Sequence, residues 1–357
     1  DYFGKMRQHK MSNSEYRAAI IGLGFIGGGD QVAGDRIGQN VQNLDGTHLG
    51  TLTKSPRIRL VAGCDLDQGC RERFGQRTSA RNYSDWEKML DKEQLDIVSI
   101  ATPATTHAEL TIACAERNIK VVYCEKPIAT TAEEAERMIA ACEKSGTLLV
   151  INHNRRFNPK YRHLRALIAA GDLGDLTSVY LRWASGRIGC VGTHLIDAAR
   201  MLTGREITAV AGMIDESEKP DCRGPEFYDP GGWGMFQMEG GLKGLINAGN
   251  RAMGPAQIVV EGTLGRADTG GNAVNLEWFD GRLQVWPAGE RLVTSMDRAL
   301  GEIVAWLDKP GPFSTPAVGA LRTFEVVAGM HLSHAEGGRW IELPLTGAAR
   351  QARVKCA

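Results

Sequence analysis

Short continuous apolar runs alternate with periodic amphipathic segments through the first half of the chain. Residues 17–21, 58–64, 97–101, 120–123 and 148–152 read as strands, and 86–92, 107–117 and 132–144 as helices. Strand, helix, strand in this rhythm predicts parallel strands joined by crossover helices. Runs without polar alternation suit strands covered on both faces.

The second half changes character. Residues 163–170 predict a helix, 176–184 a strand, and 194–202 a helix that stops before Gly204. Strand-like segments broken by Gly and Pro then follow at 207–214, 234–238, 242–248, 257–261, 273–278 and 282–286. They predict one large, mostly antiparallel open sheet. Helices near 296–307 and 317–335 close the pattern. The expected organisation is a disordered leader over 1–15, an α/β domain over 16–152 and an α+β domain over 153–345.

The first strand runs into Gly22-Leu23-Gly24-Phe25-Ile26-Gly27, a G-x-G-x-x-G loop. Gly22 permits the tight turn, Gly24 lets the backbone approach a pyrophosphate, and Gly27 permits close helix–strand packing. The helix that follows presents its N-terminus to the negative charge. These features predict a Rossmann dinucleotide-binding domain with residues 22–27, Phe25 and Ile26 included, at the cofactor. Asp65 closes the second strand, where a carboxylate accepts ribose hydroxyls and repels a 2′-phosphate, so NAD is expected before NADP. The gap from Gly27 to Asp65 exceeds the ~20 residues usual for this fingerprint. Residues 28–44 therefore read as an insertion: a lid, an oligomer contact or a solvated surface excursion.

Composition narrows the field. A chain of 357 residues, 43% hydrophobic and 24% charged, suits two soluble domains. Its 42 basic and 42 acidic residues cancel, which leaves no global field for nucleic acid or an anionic membrane. No run approaches the ~18–20 apolar residues of a membrane span. The eight cysteines form no C-x-x-C pair, and several lie in apolar runs. They read as reduced, mostly buried thiols of a cytoplasmic protein, without zinc. His331 and His334 share a helix face, but no third ligand is in sight and no metal is expected. Phe227, Tyr228 and Trp233 lie in a Pro/Gly-rich loop and suit either stacking on a sugar or base or a subunit contact.

Further motifs stand at the strand ends. Ala101-Thr102-Pro103-Ala104-Thr105-Thr106-His107 follows the third strand, Cys124-Glu125-Lys126-Pro127-Ile128 the fourth, and Asn154-Arg155-Arg156-Phe157-Asn158-Pro159 the fifth. Gly192-Thr193-His194-Leu195-Ile196-Asp197 and Gly337-Gly338-Arg339-Trp340-Ile341-Glu342-Leu343-Pro344 come later. With the glycine loop, and in this order, they resemble the glucose–fructose oxidoreductase / inositol dehydrogenase / MocA family from about Tyr16 to Pro344. The resemblance implies an NAD(P)-dependent oxidoreductase acting on sugars, sugar derivatives or cyclic polyols. It implies a dimer or tetramer built through the C-terminal sheet. It places Lys126 beside the nicotinamide and the substrate hydroxyl, and His194 facing the same hydroxyl. Thr102, Pro103, His107, Glu125 and Arg156 join the expected cofactor set, although His107 also suits a helix start and Arg156 an ion pair. Asn154, Arg187, Cys190 and Asp197 are candidates for the substrate side.

Alcohol oxidation needs a hydride acceptor and a proton acceptor at one carbon, and a positioned base contributes roughly 10²–10⁴-fold. His194 is expected to titrate near neutrality. Lys126 would polarise the oxygen, or act as the base if burial and a neighbouring cation lowered its pKa. Asp197, three residues on, would orient the His194 ring or pair locally. Many polyol and sugar dehydrogenases of the family carry an acid four positions before the histidine; here Cys190 stands there and reads as a small packing residue. The remaining Lys126–His194 pair resembles the subgroup acting on nucleotide sugars. Two other readings stay open: a lyase or glycosidase using tightly held NAD transiently, and a non-catalytic, NAD-binding regulatory protein.

Overall fold

The computed structural model describes residues 15–30, 44–218, 221, 227–287 and 293–355. The expected leader, apart from Glu15, and residues 31–43 of the expected insertion lie outside them.

Six strands form the first sheet: β1 (Tyr16–Ile21), β2 (Ile58–Cys64), β3 (Arg81–Tyr83), β4 (Ile97–Ile100), β5 (Val121–Cys124) and β6 (Leu148–Ile151). All neighbours are parallel, in the order β3-β2-β1-β4-β5-β6, the doubly wound arrangement expected of a dinucleotide-binding domain. Every residue of β4 and β5 is buried, which is why both appear in the sequence as unbroken apolar runs. The helices are α1 (Phe25–Gly28), α2 (His48–Lys54), α3 (Gln68–Arg77), α4 (Trp86–Lys92), α5 (His107–Glu116) and α6 (Ala132–Ser145). The crossover from β1 to β2 is thus split. A short α1 ends at Gly29 in the left-handed region, and α2 begins where the Thr47 hydroxyl accepts from Gly50 N at 3.0 Å.

The second sheet has nine strands: β7 (Leu176–Arg182), β8 (Ile207–Ile214), β9 (Gly232–Met238), β10 (Lys243–Ala248), β11 (Gln257–Gly262), β12 (Gly265–Asp268), β13 (Val274–Trp278), β14 (Leu283–Trp286) and β15 (Ile341–Glu342). Their order is β14-β13-β12-β11-β7-β10-β9-β8-β15. Neighbours are antiparallel except β10 and β7, which run parallel. α7 (Pro159–Ala169), α8 (Thr193–Thr203) and α10 (Ala317–Ala335) belong to this half; α8 packs on β7 and β11, and α10 on β8. Among the described residues the opposite face exposes Met213, Trp233, Met235 and Leu245.

Within the expected 153–345 domain, α9 (Ser295–Asp308) packs against residues of the first half of the chain. Its buried Met296, Ala299, Leu300 and Ile303 share one core with Ile20, Leu49, Leu52 and Phe157. Burying each Leu or Ile contributes roughly 1.5–3 kcal/mol, so this helix belongs energetically to the first domain. Polar ties flank the core: Thr51 Oγ1 donates to Asp297 at 3.1 Å, and Asp308 accepts from the Tyr16 hydroxyl and from Arg57, each at 2.7 Å. The C-terminal segment also returns, with Val354 N donating to Thr130 O at 2.9 Å and Arg353 paired with Glu134 at 2.8 Å.

Candidate functional site

The carboxyl ends of β1, β4, β5 and β6 meet the amino end of α8. In an open parallel sheet this is where ligands bind. Gly22 sits at φ +90°, and a Cβ there would stand 2.7 Å from the Ala101 carbonyl carbon. A Cβ on Gly27 would stand 1.8 Å from Gly22 O. At Gly24 nothing lies within 4 Å of the Cβ position. The loop is therefore closed against protein at Gly22 and Gly27 and open at Gly24, the cradle a pyrophosphate needs. Asp65 ties the loop down: Oδ2 accepts from Leu23 N at 2.6 Å and Oδ1 from Asp67 N at 2.8 Å. Each carboxylate oxygen keeps a lone pair for a ribose hydroxyl. The residues present fit a dinucleotide.

Glu125 turns away from that cradle. Its buried carboxylate accepts from Asn152 Nδ2 at 2.6 Å and lies 3.1 Å from His48 Nε2. Burial would raise its pKa, but these partners and Lys126 outweigh burial and bring it down to about 2. It is a fixed anion beneath the site. His48 enters from α2, which has no strong pattern of its own in the sequence.

Lys126 follows β5, and its peptide bond to Pro127 is cis. Nζ donates to Cys190 O and to Cys190 Sγ, both at 3.1 Å. Burial pulls the lysine pKa down, yet Cys190, Glu125 and Asp229 together hold it above its ordinary 10.5. With both acceptors at 3.1 Å, Nζ is placed as a hydrogen-bond donor. His194 opens α8 with its ring against His153, centroids 5.9 Å apart. Its Nδ1 is buried and has no partner among the described residues. Burial first, then the charges of Lys126, Arg155 and His153, push its pKa well below 6.5. In place of the near-neutral titration expected, the imidazole is neutral throughout the physiological range.

This pair of opposite shifts sets a pH dependence. A base that must be neutral is lost as pH falls through its lowered pKa, below 6.5. An ammonium is lost as pH rises through a pKa above 10.5. The kcat profile is expected to be flat from about pH 7 to 9, with both limbs outside that window. A profile that climbs steadily to an alkaline midpoint would make Lys126 the base instead.

Several expected site residues are committed elsewhere. Asp197 does not orient His194. It accepts from Arg156 Nε at 2.7 and 2.9 Å, lies 3.6 Å from Arg200 and faces His153 Nδ1 at 3.9 Å. Arg156 is thus held by a buried carboxylate. The His107 ring is pinned between Thr102 O and Pro127 O, each at 2.9 Å, and fastens the loop after β4 to the one after β5. Thr102 Oγ1 accepts from Thr106 at 2.8 Å. Pro103 is exposed and Asn154 half-buried at the mouth of the site. Arg187 is buried and lies 3.5 Å from Asp221. Together with Ser185 and Gly186 it forms a left-handed run with φ of 66°, 63° and 65°. This run enters the Ile188–Gly192 turn that carries Cys190.

Asp229, which carries no motif, accepts through its carboxylate from Gly189 N and Cys190 N at 2.7 and 2.8 Å. In the chain it looks like one more Asp-Pro-Gly-Gly turn. Of the weaker candidates, Trp233 lies on the open face of the second sheet, half exposed, and His334 faces Glu216 at 3.3 Å. Among the described residues no group of three His, Cys, Asp or Glu could hold a metal, and no helix is long and apolar enough to cross a membrane.

Two family models match the chain: the Gfo/Idh/MocA "oxidoreductase family, NAD-binding Rossmann fold" over residues 16–153, and the Gfo/Idh/MocA C-terminal domain over 181–268. Among curated relatives, inositol 2-dehydrogenase 2 of Saccharopolyspora erythraea is 32% identical over 195 residues, 51% of this chain and 57% of that one. Levoglucosan dehydrogenase of Pseudarthrobacter phenanthrenivorans is 30% identical over 230 residues, 56% of this chain and 58% of its own. The matches therefore span little more than half of those relatives. A solved oxidoreductase from Agrobacterium radiobacter, in complex with NAD+, L-tartaric acid and magnesium, has a TM-score of 0.76 at 20% identity, covering 92% of this chain and 98% of its own. The WlbA dehydrogenase from Bordetella pertussis, in complex with NADH and UDP-GlcNAcA, has a TM-score of 0.73 at 21% identity, covering 93% and 100%. At that identity the likeness is one of fold.

Proposed function

Because the chain belongs to the Gfo/Idh/MocA oxidoreductase family, whose N-terminal domain is an NAD-binding Rossmann fold, we propose that it is an NAD-dependent dehydrogenase acting on a hydroxyl of a sugar, nucleotide sugar or polyol. The observation that carries this reading is the buried pair at the carboxyl end of the first sheet: Lys126, whose Nζ is held by Cys190 O and Sγ at 3.1 Å, and His194, whose buried Nδ1 has no partner among the described residues. NAD, when bound, supplies the hydride acceptor. The 22–27 loop and Asp65 hold it. Lys126 donates a hydrogen bond to the substrate oxygen and stabilises the charge that develops there, while His194 takes the hydroxyl proton. Asp65 favours NAD over NADP, and the guanidinium of Arg71 supports this, since it is committed to Asp65 O and Leu66 O at 2.8 Å each. The names of the relatives, inositol and levoglucosan dehydrogenases, support a cyclic polyol or sugar as substrate.

The test is a panel of polyols, sugars and nucleotide sugars with NAD, read as NADH absorbance. One class giving NADH with His194-dependent turnover supports the reading. Product without net NADH would move the assignment to an elimination that uses NAD transiently.

The open face of the second sheet is the proposed contact with a second copy. Met213, Trp233, Met235 and Leu245 there are 48–61% exposed, an apolar patch large for a lone subunit. Leu245→Arg is expected to at least halve the mass measured by light scattering with the far-ultraviolet circular dichroism unchanged. A monomeric wild-type protein would end this part of the proposal.

A further inference from the structure

Three consecutive peptide N–H groups open the Ile188–Gly192 turn, and none has an acceptor within its own helix. All three are met by one segment in front of β9. Pro230 O accepts from Ile188 N at 3.0 Å, Asp229 Oδ1 from Gly189 N at 2.7 Å, and Asp229 Oδ2 from Cys190 N at 2.8 Å. Asp229 is 6% exposed and lies 39 residues from Cys190 in the chain. Its segment is braced in turn: Asn250 Oδ1 accepts from Gly231 N, and Asp215 Oδ2 from Asn250 N, each at 2.7 Å.

The turn does not hold this shape by itself. It is entered through Ser185 and Arg187, both at positive φ without being glycine, a conformation that surrounding contacts must impose. On its far side, Cys190 offers its carbonyl and its sulfur to Lys126 Nζ. The groups that face this ammonium are Glu125 from the end of β5, Cys190 from the turn, Asp229 from the segment before β9, His194 from α8 and His153 from the end of β6. Glu125 accepts from Asn152 and faces His48 through Oε1, and through Oε2 it accepts from the Lys126 peptide N at 3.3 Å, not from Nζ. The two acceptors that aim Nζ are thus both on a residue whose backbone Asp229 fixes.

We propose that Asp229 is a positioning residue for hydride transfer: it locks the 188–190 turn so that the backbone carbonyl of Cys190 meets Lys126 Nζ and sets where the ammonium points. The role in turnover rests on the dehydrogenase reading above. The hold on Lys126 does not, and can be measured without any substrate.

The experiment is acylation of Lys126 by acetic anhydride at about pH 9, followed by peptide mass spectrometry, on the full chain. In Asp229→Asn an amide N–H is turned on one of the two peptide N–H donors, so the turn is released. Lys126 is expected to acylate roughly tenfold faster, because a lysine freed of its acceptors loses the stabilisation of its charged form. NAD binding is expected to hold within about threefold, and kcat to fall about tenfold with KM little changed, the pattern of a lost transition-state contact. Asp229→Glu, which keeps a carboxylate, is expected to restore most of both. An acylation rate equal to wild type in a folded Asp229→Asn protein overturns the proposal, since a purely structural cap would lower the melting temperature alone. Cys190→Ala removes the sulfur and keeps the carbonyl. It is expected to change the rate less than about threefold, and a full tenfold change there would assign the hold to sulfur and overturn the proposal even if Asp229→Asn does not fold. If the acylation shift appears while wild-type protein turns over nothing on the panel, the positioning stands and the dehydrogenase reading fails.

Discussion

Replacing Lys126 by alanine is expected to lower kcat by roughly 10²–10⁴-fold while NAD binds as in the wild type. The two halves of this expectation rest on different strands. In the proposed function the 22–27 loop after β1 and Asp65 after β2 hold the cofactor, whereas Nζ of Lys126 stands beyond β5 and contacts Cys190. Alanine leaves the backbone in place and removes only the donor to the substrate oxygen. Arginine is no substitute: its planar fork is larger and cannot reproduce a point charge with two acceptors at 3.1 Å. A secondary effect follows from the electrostatics. After burial, Lys126 is the next cause holding the His194 pKa down, so its loss lets that pKa rise. The residual activity of Lys126→Ala should therefore show its acid limb at higher pH than wild type. Steady-state kinetics beside calorimetric titration with NAD checks both halves. Turnover within tenfold of wild type would remove Lys126 from the chemistry.

The parts of this site that were legible in the sequence share one physical property: their signals are local. A strand buried on both faces, such as β4 or β5, needs an apolar run, and the run is visible. A backbone that must turn at φ +90°, or lie where a Cβ would stand 1.8 Å from a carbonyl oxygen, needs glycine, and Gly22 and Gly27 are visible. What depends on contacts distant in sequence was not. β3 is a short edge strand with Arg81 and Asn82 exposed, so it has no apolar run. α3 buries Phe74 alone and is set by the Asp67 cap, which periodicity does not register. The amphipathic pattern of α9 announced a helix but not which domain it would cover. The same limit explains Asp197. Three residues beyond His194 is the right spacing for a shared helix face, yet Arg156, 41 residues away in the chain, and Arg200, the next residue along that same i,i+3 spacing, captured the carboxylate. Cys190 stood out as a missing acid, and the carboxylate that fixes its turn comes from Asp229, in a segment with no motif of its own.

Gly24 and Gly27 lie in the same motif and are expected to fail in different ways when each is changed to alanine. At Gly24 φ is −66°, a value alanine adopts, and the new methyl meets nothing within 4 Å. The fold should tolerate it, with the melting temperature within about 2 °C of wild type, because no packed atom must move. The methyl would occupy the space where a pyrophosphate must approach the backbone. Losing one or two hydrogen bonds to a charged group at ~1.4 kcal/mol each raises the Kd for NAD about 10–100-fold. At Gly27 the methyl would lie 1.8 Å from Gly22 O, so α1 must move off β1. Overpacking of this kind costs roughly 1–3 kcal/mol, or about 3–10 °C in a domain of this size, and the displaced helix loses the dinucleotide as well. The pair separates cradle from scaffold: both variants lose NAD, and one of them loses stability. Gly24→Ala that bound NAD as tightly as wild type would mean that the cofactor does not cross the loop at this glycine, and Gly27→Ala with an unchanged melting temperature would mean that α1 is free to shift without cost.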